Sequence, residues 1–211
     1  MDEIWTFVRK KEAHLKGPES FNHEIGDQYV FVALDAESKL IPTFTVGKRD
    51  GETALRFLTD LRERLEGNGR VQITTDAFRG YLPAMEETFG ADVDYAQLVK
   101  LYGAVNPGPG RYAPPRVSET ISTPINGSPD PRHISTSYVE RQNLTMRMQM
   151  RRFTRLTNGF SKKLANLKAA LALHFAWYNF VRVHRTLRVT PAMAAGITDR
   201  VWGLADLLPA N

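Results

Sequence analysis

Three carboxylates stand where a phosphodiester-handling site would want them: Asp2, Asp76 and Glu140. Glu140 lies in the stretch Ser137-Tyr-Val-Glu-Arg-Gln-Asn, and the next acidic residue is Asp199. Eleven Lys and Arg fall between Arg141 and Thr198, and with a chain net charge of +5 the remainder is net acidic. A lone Glu at the mouth of a basic segment suits a metal ligand beside a polyanion, the carboxylate holding a cation and the arginines holding phosphates. Magnesium takes few protein carboxylates, and two such ions about 3.5–4 Å apart activate an attacking water and stabilise a leaving oxygen. Each residue also has an ordinary reading. Asp2 could be a frayed terminal residue, Asp76 a cap for a helix near Phe78, and Glu140 a first-turn charge favoured by the helix dipole. The arginine face could be a solvated surface.

The elements that must position these residues follow from periodicity. Residues 4–10 (Ile-Trp-Thr-Phe-Val) read as a strand with Asp2 and Glu3 at its leading edge. So little room precedes Asp2 that upstream residues are expected to be missing. Residues 12–27 read as a loop, 28–34 as a central strand, and 40–46 as a third strand. A helix over 52–66 buries Ala54, Leu55, Leu58, Leu61 and Leu65 and stops at Gly67-Asn-Gly. Strand 71–75 ends at Asp76, helix 78–89 turns Leu82, Met85 and Phe89 inward, and 93–102 is a fifth strand. This order predicts an α/β fold with a mixed sheet of about five strands, ribonuclease-H-like, in which the first and fourth strands are neighbours.

Residues 103–132 are rich in Pro and Gly and read as a long loop. Tyr102 and Tyr112 flank it, able to stack on a base or to pack the hinge. A helix over 135–156 would place Glu140, Arg147, Arg151 and Arg155 on one face, with Val139, Met146, Met150 and Phe153 buried. A second helix, capped by Ser161, carries Leu164, Leu167, Leu171, His174, Phe175, Tyr178 and Val181. Arg182, His184, Arg185 and Arg188 follow, then a short Ala-rich helix after Pro191. His174 reads as a packing residue, with DNA contact as the alternative. In domain terms, 1–156 is the core, 103–134 a loop inside it, and 157–211 a basic helical extension.

At 211 residues and 42% hydrophobic, the chain can bury a real core. The absence of cysteine excludes disulfides, thiolate zinc sites and thiol catalysis. No apolar run nears the roughly 18 residues of a membrane span, and the acidic start is no signal peptide, so a cytoplasmic protein without membrane partners is expected.

Met1-Asp-Glu-Ile-Trp, Thr75-Asp-Ala-Phe-Arg-Gly-Tyr and Tyr138-Val-Glu-Arg-Gln-Asn-Leu together resemble the three catalytic blocks of the insertion-sequence-one transposases. These are bacterial enzymes of the Asp-Asp-Glu, retroviral-integrase-like superfamily. The closing stretch from Asn179 to Ala192 resembles the end of many such cores, so the likeness spans nearly the whole chain. It implies that Asp2, Asp76 and Glu140 are the catalytic and metal-binding triad. Arg141 and Asn143 would hold DNA or orient the site. Arg147, Arg151, Arg155, Lys162, Lys163, Arg182, His184 and Arg185 would bind double-stranded DNA, both transposon ends and target. The implied chemistry uses Mg²⁺, with Mn²⁺ as a substitute: hydrolysis at a transposon end, then attack of the freed 3′-hydroxyl on target DNA, in a homo-oligomer. Family members usually carry an N-terminal zinc-binding or helix-turn-helix segment. The sequence shows none, so a catalytic-domain piece is expected, active alone or not. Two rivals stay open: a ribonuclease-H-like nuclease that cuts without joining, and a DNA-binding remnant without activity.

Overall fold

The computed structural model describes residues 1–65, 69–102, 117–154 and 157–207. Strands β1 (Asp2–Val8), β2 (Gly26–Val32) and β3 (Phe44–Gly47) make an antiparallel sheet in that order, with Asp2 opposite Val32. Strands β4 (Val71–Thr75), β5 (Val93–Tyr102) and β6 (Val117–Asn126) make a second sheet, β4 parallel to β5 and β6 antiparallel to it. The chain is therefore α/β with two three-stranded sheets. They meet where the Met1 amino group donates to the Thr74 carbonyl at 2.6 Å.

Strand β2 explains why a nearly continuous apolar run was needed. Its side chains alternate between two cores: Phe31 belongs to one hydrophobic cluster, and Val30 and Val32 to another. The first cluster is closed by α1 (Gly51–Arg64) and α2 (Tyr81–Phe89), through Phe57, Leu58, Leu61, Tyr81, Met85 and Phe89. The second is closed by α3 (Ser137–Gln149) and α4 (Leu164–Ala176), through Val139, Met146, Leu167, Leu171 and Phe175. Helix α4 thus shares a core with β1–β3. A π-helical turn follows it (Trp177–Val181), then α5 (Pro191–Ala194), capped by the Thr190 side chain.

Local signals account for the helix ends. The Asp50 carboxylate accepts from Thr53 N at 2.9 Å and caps α1, whose last turn carries Arg62 and Arg64. Helix α2 stops at Gly90, whose φ of 51° suits a residue without Cβ. Asn179 copies a strand edge with its amide: its Oδ1 accepts from Ile41 N at 3.0 Å and its Nδ2 donates to Ile41 O at 2.8 Å.

Several expectations need correction. The stretch read as one loop over 103–132 contains β6, whose Val, Thr and Ile content suits an edge strand, where Pro124 costs no central ladder bond. Residues 12–27 hold two 3₁₀ turns, Glu12–His14 and Gly17–Phe21, and the start of β2. Leu82 is exposed, because Tyr81 and Ala84 take the inward positions instead. Helix α3 ends at Gln149, Met150 is extended, and Arg151–Phe153 is a 3₁₀ turn. No helical face therefore runs from Glu140 to Arg151 and beyond. The turn lets Phe153 reach the second core, which a straight helix would not do. Ser161 does not cap α4. It forms an isolated bridge with Val8, and its carbonyl accepts from Arg9 N at 2.8 Å.

Candidate active site

One cleft of about 780 Å³ is lined by Asp2, Asp76 and Glu140 together, with Arg49, Arg79 and Lys100 as cations around it. Residues 74 and 64 positions apart reach it because three elements end there. β1 starts at Asp2, β4 ends just before Asp76, and α3 crosses the face of β1 with Glu140 in its first turn.

The end of β4 is fixed by local chemistry. Thr75 Oγ1 bonds the Asp76 carbonyl at 2.6 Å and the buried Tyr95 hydroxyl at 2.8 Å. Asp76 Oδ1 accepts from Phe78 N at 2.9 Å in the turn before α2, which starts at Tyr81 with Gly80 as its N-cap, so Asp76 does not cap that helix; its Oδ2 faces Arg49 at 3.2 Å. Asp2 is held from the other side, its Oδ2 accepting from Asn143 Nδ2 at 2.8 Å. Glu140 accepts from Thr136 Oγ1 at 2.6 Å and pairs through the same oxygen with Lys100 on β5.

The tightest acidic group differs from the expected triad. Asp2, Glu3 and Asp76 can each bring one carboxylate oxygen within 4.8 Å of the others; Glu140 is not in that group, though it lines the same cleft. Glu3 was missed in the sequence because strand alternation turns it away from Asp2. Its side chain is only 2% exposed, and Arg49 Nε donates to its Oε2 at 3.1 Å. Arg49 therefore ties Glu3 to Asp76, and it also lies over the Phe78 ring, 4.5 Å from the centroid. The signal available was two adjacent acids at the start of one strand.

Crowding shows in the electrostatics. Burial pushes Glu3 up to about 7, the charge of Asp76 adds to this, and the Tyr81 hydroxyl and Arg49 pull against it. Burial also raises Asp2, opposed by the Glu3 backbone N–H and reinforced by Asp76. Tyr81, wholly buried, is raised well above its ordinary value by burial and then by the charge of Glu3. Three crowded carboxylates, with the charge of Asp76 raising both Asp2 and Glu3, are a hard oxygen donor set a divalent cation would relieve, and carboxylates of this kind suit Mg²⁺ or Mn²⁺. The residues fit such an ion.

The basic residues are dispersed. Arg141, Arg151, Lys162, Lys163 and Arg185 are exposed. Arg147 is half-buried, Arg182 lies 5.8 Å from the Trp177 ring centroid, and the His184 ring bonds Thr186 Oγ1 at 3.1 Å. Asn143, expected to hold DNA or to orient the site, is buried against Asp2, which suits only orientation. His174 is buried beside Phe175 and Trp177. Arg155, Tyr112 and the Tyr102 side chain lie outside the described residues. Among the described residues, no helix is long and apolar enough to cross a membrane.

The chain matches no protein-family model, no curated protein and no solved structure.

Proposed function

We propose that the chain is the catalytic part of a DNA transposase, a metal-dependent polynucleotidyl transferase built on a ribonuclease-H-like sheet. One observation carries the reading: three carboxylates far apart in sequence line a single cleft whose other charges are cationic. The Met1–Thr74 hydrogen bond supports a continuous sheet in which β1 and β4 are neighbours. The three sequence blocks that resemble insertion-sequence-one transposases supply the reaction class.

In this reading Asp2 and Asp76, joined by Glu3 or Glu140, would hold Mg²⁺ or Mn²⁺. The bound ion would supply charge neutralisation at the phosphate and a more acidic attacking water. The chain's own residues do the positioning. Asn143 fixes the Asp2 carboxylate, Thr136 and Lys100 fix that of Glu140, and Arg49, Arg79 and Lys100 offer positive charge to a phosphodiester. Water adds to phosphorus at the transposon end and the 3′-oxygen leaves as a hydroxyl. That hydroxyl then attacks a target phosphodiester and displaces another 3′-oxygen. Double-stranded DNA is the partner, in a homo-oligomer acting in the bacterial cytoplasm.

The test is incubation of the chain with labelled linear DNA, with and without Mg²⁺ or Mn²⁺. Metal-dependent nicking or strand joining, abolished in Glu140→Gln, is expected; DNA binding with neither reaction would overturn the proposal. One observation favours a second reading, a DNA-binding remnant: Arg49 and Lys100 already pair with acids of the site. In that case Asp76→Asn leaves DNA binding unchanged and there is no cleavage to lose.

A further inference from the structure

A second cleft, of about 590 Å³, opens along the outer edge of β1, and the reading above does not use it. Its floor is aromatic. Trp5 and Phe7 are two residues apart on one strand and so project from the same face, with ring centroids 5.8 Å apart. Phe160 comes from the segment before α4 and packs on Phe7 at 4.8 Å, with ring planes 31° apart. Its rim is cationic: Arg147 and Arg152 line it, and Lys11 Nζ stands 5.7 Å from the Trp5 centroid and 6.0 Å from that of Phe7. No acidic residue is among the described residues that line it. The Arg9–Ser161 backbone bond ties the end of β1 to the segment before α4, and Arg152 Nη1 donates to Ser161 Oγ at 2.9 Å.

Half-buried aromatic rings beneath a cationic rim are what unpaired nucleic acid needs, because every base has a π-face and every linkage an anionic phosphate. An acidic or zwitterionic small ligand would need fewer rings, and an apolar peptide no cations. The placement is informative as well. β1 carries Asp2 at one end of the strand and Trp5 and Phe7 further on, roughly 10 and 17 Å away at the rise of an extended strand. Trp5 and Phe7 project from the face of β1 opposite Asp2, so a DNA strand running from the carboxylate cleft to these rings would pass around the edge of β1.

We propose that this cleft is a stacking site for one or two unpaired bases of a DNA strand. Its position beside the reacting phosphate rests on the transposase reading; its affinity for single strands does not. Lys11 lies over the rings in the free protein and turns to a phosphate when a base takes its place.

The experiment measures fluorescence anisotropy of a labelled twelve-residue oligothymidylate with the full chain in EDTA, where no cleavage can occur. The wild type is expected to bind. Phe160→Ala should raise Kd roughly five- to a hundredfold, the range of one lost base–aromatic stack, whereas duplex Kd moves less than twofold. If Phe160→Ala fails to fold by circular dichroism, Lys11→Ala gives the second reading. It should weaken binding and lower the salt slope by about 0.7, the value for one single-strand phosphate contact. Photocrosslinking of a 5-iodouracil oligonucleotide should map to the peptides of Trp5, Phe7 or Phe160. No oligothymidylate binding, unchanged Kd in both variants, or crosslinks only elsewhere would overturn the proposal. Oligothymidylate binding without metal-dependent cleavage would uphold this site and sink the catalytic reading; cleavage without such binding would do the reverse.

Discussion

Asn143 on α3 donates from its Nδ2 to Asp2 Oδ2 at 2.8 Å, across 141 positions of sequence. Both side chains belong to the site, one as a carboxylate of the cleft and the other as the group that turns it. The Asn143 side chain is buried, so the bond is shielded from water. Asn143→Ala should therefore cost about 1.5–3 kcal/mol in urea denaturation, the usual toll of a lost hydrogen bond to a charged partner. Metal-dependent cleavage should fall roughly 10–100-fold, as when a group that orients a ligand is removed. Full activity in a folded Asn143→Ala would detach it from the site.

Arg49 occupies the charge-balancing position between Glu3 and Asp76. Arg49→Gln should lower the melting temperature in EDTA and enlarge the rise that Mg²⁺ produces, because the cation then relieves acids that Arg49 no longer serves. Asp2→Asn and Asp76→Asn should abolish the rise. Differential scanning fluorimetry across a Mg²⁺ titration reads both, and an identical rise in all four proteins would mean that the ion binds elsewhere.

Glu3 gives a pH signature. Its folded pKa is raised from 4.5 to about 7, so the protonated form is the one the fold prefers. Its contribution is fully present below about pH 4.5 and is lost as pH rises through 7. The loss is roughly 2–3 kcal/mol at the metal-free site. Glu3→Gln should flatten that limb and be the more stable protein at pH 8 in EDTA. Parallel stability curves for the two proteins between pH 5 and 8 would refute this.

His174 gives the opposite sign. Burial, and then the charge of Arg182, bring it from 6.5 down to about 4. Its neutral form stabilises the fold above pH 6.5, and that contribution is lost as pH falls through 4, by roughly 2–3 kcal/mol. His174→Leu should remove this part of the acid sensitivity in denaturant titrations at pH 7, 5.5 and 4. An unchanged pH dependence would show that the ring is already solvated.

Duplex binding should weaken steeply with salt through counterion release, with a slope near −0.9 per phosphate neutralised. Replacing exposed Lys162, Lys163 and Arg185 together with Ala should lower the slope by up to about 2.7. A slope that does not change would remove the C-terminal half from the DNA surface.

How legible each part was depended on whether its cause is local. Strands β4 and β5 fall at 71–75 and 93–102 as expected, because β-branched runs bounded by turn residues carry their own signal. The end of α3 carries none. No Gly or Pro follows Gln149; the chain turns there because Phe153 has a place in the second core. β6 was hidden by the Pro and Gly on either side of it, and a strand whose residues are nearly all exposed shows no hydrophobic alternation. At the site, Asp2, Asp76 and Glu140 could be picked out by residue type and setting. Arg49, Lys100 and Thr136 could not, since only tertiary packing brings them to those carboxylates. Asn143 could be flagged by its neighbourhood, but its partner could not.

The meeting of two three-stranded sheets at Met1 and Thr74 makes the site a gauge of alignment. Asp2 and Glu3 ride on one sheet and Asp76 on the end of the other, so a slip between the sheets alters the carboxylate separation directly. Met1, Phe31 and Ile73 pack in one cluster across that junction. Substitutions there would detune the proposed reaction as surely as the loss of an acid, with the charges all still in place.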